Sequence, residues 1–137
     1  MGESPHKGSQ AVAHNFGIDI SQQRSQHTSE FDLASIPYLC VMDHQNYQDV
    51  LGSYTHLTSH TPPVLMMRFF EDKGIYTNED WAKTSMPHHA TQLTDYPAVP
   101  DPYYGRGSSA FTEVYHILSA SCQGLLNYIV WQQNKSV

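Results

Sequence analysis

Two apolar runs of strand length, residues 38–42 and 64–70, constrain the fold of this chain more than any other feature. Neither run alternates regularly between apolar and polar residues. Strands without alternation are covered on both faces, as in the parallel sheets of α/β proteins. The stretch between them, 43–51, predicts a helix with Asp43 as its N-cap and Gly52 as its stop. A strand, a helix and a strand predict a βαβ unit with a right-handed crossover.

Helical patterns lie on both sides of this unit. Residues 8–17 predict a short helix that Gly17 ends in a left-handed conformation. A long helix is predicted to begin at Ser108 or Ser109, where a hydroxyl can cap the first turn. Its apolar stripe follows a 3.6-residue period and is predicted to face the core. The stripe comprises Phe111, Val114, Tyr115, Leu118, Cys122, Leu125, Leu126 and Ile129. Residues 74–100 are predicted to form a long loop with a helical turn near 79–83.

Composition limits the class of protein and its partners. The 137 residues fit a single domain, and a formal charge of -6 argues against a nucleic-acid partner or an acidic membrane surface. No apolar run has the length of a membrane span. Cys40 and Cys122 both lie in apolar surroundings without a close-spaced partner, which indicates reduced thiols and a cytoplasmic location. His56 and His60 stand four apart, but they are interpreted as a solvated loop, so we expect no metal and no cofactor.

The segment Asp101-Pro102-Tyr103-Tyr104-Gly105 carries the strongest chemical signal. Proline fixes its own backbone angle and holds the residue before it extended, while the glycine lets the chain turn away. A carboxylic acid at the head of a rigid turn is the arrangement that presents a general acid to a leaving group. The same sequence pattern is also typical of an ordinary surface turn. The turn alone therefore does not distinguish a catalytic acid from a structural aspartate.

The chain resembles the low-molecular-weight protein tyrosine phosphatase family in several segments. The order and rough spacing of these segments agree with the family over most of the chain. They are Gly17-Ile18-Asp19-Ile20-Ser21, Met42-Asp43 with Asn46, the second apolar run, the turn at 101–105, and the helix with Val114-Tyr115. The resemblance implies a three-layer α/β/α fold around a parallel sheet.

The resemblance also implies a mechanism. In the family a cysteine thiolate attacks the phosphorus of a phosphotyrosine from a loop that cradles the phosphate. An aspartate in the matching turn protonates the leaving phenolate and later acts as a base. Asp101 takes that role by motif match, and Tyr103 and Tyr104 match tyrosines that wall the substrate entrance. The implied substrates of a complete protein are phosphotyrosine proteins or small aryl phosphates.

The phosphate-binding loop of the family has no counterpart in this sequence. The family pattern is Cys, five residues, then Arg, but Asn46 follows Cys40 at that offset and Tyr128 follows Cys122. We therefore expect one N-terminally incomplete domain over residues 1–137, without the counterparts of the first two strands and the phosphate-loop helix. Such a chain is expected to be inactive alone and to associate with a partner or itself through an exposed sheet edge.

Two other functions stay open at this point. The chain is alternatively a non-catalytic binding or regulatory module that keeps the scaffold and the tyrosine turn. Kinship with arsenate reductases of the same fold is a weaker alternative, because those enzymes need further redox cysteines.

Overall fold

The computed structural model describes residues 2–53, 64–85, 96–104 and 107–135. Strand β1 (Leu39–Val41) and strand β2 (Val64–Met66) pair in parallel, with Leu39 opposite Val64 and Val41 opposite Met66. Helix α2 (His44–Ser53) lies between them in the sequence. The predicted α/β class with a parallel sheet is confirmed.

Packed side chains cover both faces of this sheet and produce three layers. On one face, Val41 and the β2 residues Val64 and Met66 pack against Tyr47 and Val50 of α2. On the other face, Cys40 contacts a cluster that includes Ile117 of the long C-terminal helix. All three β2 side chains are at most 1 % exposed. The lack of alternation in the sequence therefore reflects burial on both faces.

Helix α2 starts as the sequence predicts but ends differently. The Asp43 carboxylate accepts a hydrogen bond from the backbone N–H of Asn46 at 2.7 Å, which satisfies one free donor of the first turn. The predicted stop at Gly52 is wrong, because the helix continues through Ser53. Gly52 has a φ in the ordinary negative range, and glycine in a helical conformation weakens a helix without ending it.

The strand predicted over residues 64–70 is shorter in the structure. Pairing with β1 ends at Met66, and Met67–Phe70 forms a 3-10 helix. Both segments are apolar because both are buried, Phe69 at 2 % exposure and Phe70 at 0 %. Apolar content alone does not distinguish a buried strand from a buried helical turn.

Two short helices have clear capping signals. Helix α1 (Lys7–Asn15) is capped by His6, whose Nδ1 accepts the backbone N–H of Gly8 at 2.9 Å. Gly17 follows it with φ of +81°, the left-handed conformation that the sequence predicts. Helix α3 (Asn78–Lys83) begins with a capping box between Thr77 and Asp80.

The long helix α4 (Ser108–Lys135) presents only part of its predicted apolar stripe to the core, since Val114, Leu118 and Leu125 pack against core clusters. Its buried residues include Ile117, Ser121 and Tyr128, whereas Cys122 is exposed and Leu126 is 55 % exposed. Small side chains determine this face, because Gly124 lies directly against the backbone of the 3-10 helix at Phe70. The helix approaches along its smallest residues, and the larger apolar residues flank the contact.

None of the helices in the part of the chain that the structure describes is long and apolar enough to cross a membrane.

Candidate functional site

The segment that leads into the predicted acid turn is fixed beyond the carboxyl ends of both strands. The backbone N–H of Val99 donates to the carbonyl of Met42, directly after β1, at 2.7 Å. Arg68, shortly after β2, donates from Nη1 to the carbonyl of Ala98 at 2.9 Å, and it also forms a two-point ion pair with Glu71. Ligand sites of parallel α/β sheets lie at this edge, so the chain delivers Asp101 to the expected end of the sheet.

The turn itself is organised by the side chain of Asp101. Its Oδ1 accepts the backbone N–H of Tyr103 at 2.9 Å and so caps the 3-10 helix Pro102–Tyr104. Its second oxygen has no hydrogen-bond partner among the residues that the structure describes. Asp101 is exposed to solvent. One carboxylate oxygen thus orients the group, and the other is available to a ligand.

An aromatic wall stands beside this turn. The His6 ring stacks on Phe111, with centroids 4.8 Å apart, and meets Tyr103 edge to face at 6.1 Å. The two helix starts are in close contact, because a Cβ on Gly8 would lie 2.7 Å from the Phe111 ring. Tyr103 remains 70 % exposed. The turn is therefore supported from behind by α1 and α4 while its Tyr103 ring faces solvent.

The structure brings together part of the predicted site. Asp101 and Tyr103 lie on one short turn, and the backbone of Tyr104 completes it. Gly105, the last residue of the motif, lies outside the described residues, as do His56 and His60. Elsewhere in the described ranges, no group of three His, Cys, Asp or Glu side chains is placed to hold a metal ion.

The two cysteines have different environments, and neither resembles an activated nucleophile. Burial, together with the neighbouring Cys122, raises the pKa of the Cys40 thiol to about 11. A thiol with this pKa is almost fully protonated at neutral pH, and only the thiolate attacks phosphorus. Cys122 lies on the exposed side of α4.

Two residues that sequence reasoning missed are important for the geometry. Arg68 joins Ala98, three residues before Asp101, to the end of β2, and His6 contacts the ring of Tyr103. The sequence does contain a signal for Arg68, since it is the one charged residue in the apolar run 64–70. The sequence contains no such signal for His6, because histidine is not a preferred N-cap residue.

Comparisons with known proteins show which proteins this chain is similar to. The low-molecular-weight protein tyrosine phosphatase PtpA of Staphylococcus aureus is 26 % identical over 137 residues, and the match covers 98 % of this chain and 68 % of PtpA. The values are the same for the proteins of strains Newman and USA300. The chain is related to the low-molecular-weight protein tyrosine phosphatases.

The relationship to these phosphatases extends to the fold. A crystal structure of a protein tyrosine phosphatase from Entamoeba histolytica, with Hepes in its active site, superposes with a TM-score of 0.61 at 22 % identity. That superposition covers 99 % of this chain and 70 % of the other. Both comparisons leave about a third of the relative without a counterpart here. No established protein-family model matches the sequence.

Proposed function

We propose that this chain supplies the general-acid part of a phosphatase site that hydrolyses aryl phosphate monoesters, including phosphotyrosine. The observation that carries the proposal is the position of Asp101 on a capped turn beyond the carboxyl ends of β1 and β2. The relationship to the low-molecular-weight tyrosine phosphatases gives that position its chemical meaning.

In this proposal Asp101 acts through its second carboxylate oxygen. Protonated, it donates to the bridging oxygen of the ester as the phosphorus–oxygen bond breaks, and the phenol leaves neutral. Ionised, it then takes a proton from the water that attacks the phosphoenzyme. Its first oxygen stays bound to the N–H of Tyr103, which keeps the carboxyl group in place during both steps.

Tyr103 and Tyr104 are proposed to wall the substrate entrance. Support for Tyr103 is its 70 % exposure and its contact with the His6 ring, which fixes one edge of the phenol. An exposed, supported aromatic ring is suited to packing against a substrate phenyl group. For Tyr104 the proposal rests on its place in the turn and on the family motif.

The nucleophile and the phosphate cradle are proposed to come from outside this chain. Loss of the nucleophile of a covalent enzyme typically lowers kcat by roughly a million-fold, so Asp101 alone should give no measurable turnover. We place the reaction in the cytoplasm, where the free thiols Cys40 and Cys122 would stay reduced.

The test uses a fusion protein in which the part of S. aureus PtpA left unmatched by the alignment is joined to this chain. Asp101→Asn should lower kcat for an aryl phosphate by roughly a hundred- to ten-thousand-fold. Asp19→Asn is the matched control, because Asp19 Oδ1 also accepts the backbone N–H two residues ahead, at Ser21, at 2.8 Å. An equal loss in both variants, or turnover by the unfused chain that Asp101→Asn removes, contradicts the proposal.

A non-catalytic binding module on the same scaffold is the second candidate function. The observation in its favour is that Asp101 and Tyr103 are both exposed on an ordered turn without an activated cysteine beside them. In that case the unfused chain would bind phosphotyrosine peptides in a manner that Tyr103→Ala weakens. Absence of binding by the unfused chain, together with activity of the fusion protein, would contradict the binding module and support the catalytic function.

A further inference from the structure

One peptide group before the acid turn is held at both of its ends. The peptide that joins Ala98 to Val99 donates its N–H to the carbonyl of Met42, directly after β1, at 2.7 Å. The carbonyl of the same peptide accepts from Nη1 of Arg68, shortly after β2, at 2.9 Å. Because a peptide group is planar and its two bonds run to different strand ends, both its position and its orientation are fixed. The Val99 side chain is 7 % exposed and packs in the cluster with Ile117 of α4, which holds the same point from a third side.

The chain between this peptide and the acid has little freedom to move. Only Pro100 separates Val99 from Asp101, and Pro102 follows directly. Each proline ring fixes its own φ and restricts the backbone of the residue before it. On the far side, Oδ1 of Asp101 is bound to the N–H of Tyr103. A displacement of the peptide at Val99 is therefore transmitted to the Asp101 carboxyl group, because few backbone torsions between them can absorb it.

Arg68 is itself held in place by Glu71. Its Nε donates to Oε2 of Glu71 at 2.7 Å and its Nη2 donates to Oε1 at 3.2 Å, which is a two-point pair of planar groups. The two side chains are 20 % and 31 % exposed, so water competes with these bonds less than it does at an open surface. Glu71 thus sets the direction of the guanidinium group, and Nη1 is aimed at the Ala98 carbonyl.

We propose that Arg68 is a positioning residue for the general acid and that Glu71 orients it. Through the fixed peptide, Arg68 holds the Asp101 carboxyl group where it can protonate a leaving phenolate. Proton transfer needs heavy atoms within about 2.6–3.2 Å of each other, and a misplacement of about 1 Å can cost about a hundredfold in rate. This role rests on the proposed function and deepens it, since it names the contacts that set the efficiency of the acid.

The contacts of Arg68 favour positioning over direct binding of the phosphate. Each of its three guanidinium nitrogens donates to a protein oxygen, and the Glu71 carboxylate offsets its charge. An arginine that binds phosphate instead presents its parallel N–H groups to the phosphoryl oxygens. The two roles predict different kinetics. Loss of a phosphate ligand would raise the inhibition constant of inorganic phosphate, whereas loss of a positioning residue leaves that constant unchanged.

The test uses the fusion protein with the unmatched part of S. aureus PtpA and compares two esters. The rate with phenyl phosphate depends strongly on a general acid because its phenolate is strongly basic, and the rate with p-nitrophenyl phosphate depends on it little. Arg68→Gln should lower kcat/KM for phenyl phosphate by about tenfold to a hundredfold, and much less for p-nitrophenyl phosphate. Arg68→Lys should recover part of this loss, because an ammonium group can still donate to the Ala98 carbonyl but cannot form the two-point pair.

Three further variants separate positioning from a loss of stability. In an Asp101→Asn background there is no acid to position, so Arg68→Gln should cause no additional loss with phenyl phosphate. Asp80→Asn is the stability control, because it weakens the capping box of α3; it should leave the ratio of the two rates unchanged. Glu71→Gln keeps Arg68 but weakens its two-point pair. This milder variant should lower the phenyl phosphate rate selectively, and it provides the test if Arg68→Gln does not fold.

Amide hydrogen exchange, followed by NMR in the unfused chain, reports on the same contacts without any turnover. Arg68→Gln should speed the exchange of the Val99 and Tyr103 N–H groups, which are bound to Met42 and Asp101. It should not change the exchange of the Thr77 N–H, which is bound to Asp80.

Four outcomes overturn the inference. They are equal fractional losses with the two esters, an undiminished effect of Arg68→Gln in the Asp101→Asn background, unchanged exchange at Val99, and a raised inhibition constant for phosphate. The last of these would assign Arg68 to substrate binding. If Asp101→Asn itself does not discriminate between the esters, the proposed function fails. A selective effect of Asp101→Asn without one of Arg68→Gln contradicts the role of Arg68 alone, so the two failures are distinguishable.

Discussion

The contact between α4 and the 3-10 helix Met67–Phe70 makes a quantitative prediction. A Cβ on Gly124 would overlap the carbonyl oxygen of Phe70 and would lie 2.8 Å from its carbonyl carbon. These neighbours are backbone atoms, which cannot rotate away as the end of a side chain can. Gly124→Ala therefore forces the two elements apart along a contact that also buries Ser121 and Tyr128.

The expected size of the effect follows from two opposing contributions. Alanine favours a helix interior over glycine by about 1 kcal/mol. Overpacking of a filled core typically costs about 1–3 kcal/mol, and backbone overlap belongs at the upper end of that range. Gly124→Ala should therefore lower the free energy of unfolding by about 1–2 kcal/mol, which corresponds to a decrease in Tm of about 3–6 °C for a chain of this size.

Gly52→Ala is the control for this prediction. Gly52 also lies inside a helix, but a Cβ there would meet no atom within 4 Å. The same substitution should raise the free energy of unfolding by about 0.5–1 kcal/mol, because only the helix propensity changes. Urea unfolding followed by circular dichroism measures both variants. A Gly124→Ala protein as stable as the wild type would show that α4 does not approach Phe70 this closely.

Three further predictions concern the turn anchor, the cysteines and a helix cap. Arg68→Gln should lower the free energy of unfolding by about 1–2 kcal/mol, because it removes charge-assisted hydrogen bonds to the Ala98 carbonyl and to the Glu71 carboxylate. Unchanged urea unfolding would contradict this role of Arg68. Iodoacetamide labelling of the native protein at pH 8 should modify Cys122 but not Cys40, because the raised pKa of the Cys40 thiol, about 11, keeps that thiol neutral. Equal labelling of the two cysteines at pH 8 would contradict the buried environment of Cys40. Hydrogen bonds from Thr77 lower the pKa of Asp80 from 3.8, so its stabilising effect is present above pH 3.8 and disappears as pH falls through the lower folded value. Asp80→Asn should therefore be less stable than the wild type at pH 6 and equally stable below the folded pKa, and a difference independent of pH would contradict the cap.

The sequence was sufficient for the features that depend on local chemistry. Asp43 was predictable as an N-cap because its carboxylate can reach the first free N–H groups of the helix. Gly17 was predictable as a left-handed stop after α1 for a similar reason. The parallel pairing of β1 with β2 followed from two unalternating apolar runs joined by a helix.

Features that depend on tertiary packing were not predictable in this way. The apolar stripe of α4 indicates that Cys122 and Leu126 face the core, but both are exposed, and the helix places its small residue Gly124 against Phe70 instead. Volume complementarity between distant segments decides that rotation, and periodicity contains no information about it. The length of the second strand was likewise set by where its partner β1 ends.

In the candidate site, too, the local turn was predictable from the sequence and the long-range contacts were not. Turn chemistry identified Asp101 and Tyr103, since an aspartate before proline characteristically binds the backbone N–H two residues ahead. The long-range contacts that aim this turn, from Arg68 to Ala98 and from Val99 to Met42, join segments about 30 to 60 residues apart in the sequence. A single sequence gives no sign of such pairings.

The central claim, that Asp101 protonates the leaving group, is tested most directly by the leaving-group dependence of the fusion protein. A general acid matters most when the departing phenolate is strongly basic. Asp101→Asn should therefore reduce the rate with phenyl phosphate much more than the rate with p-nitrophenyl phosphate, whose phenolate needs little protonation. The same fractional loss with both esters, matching the loss in Asp19→Asn, would contradict the account.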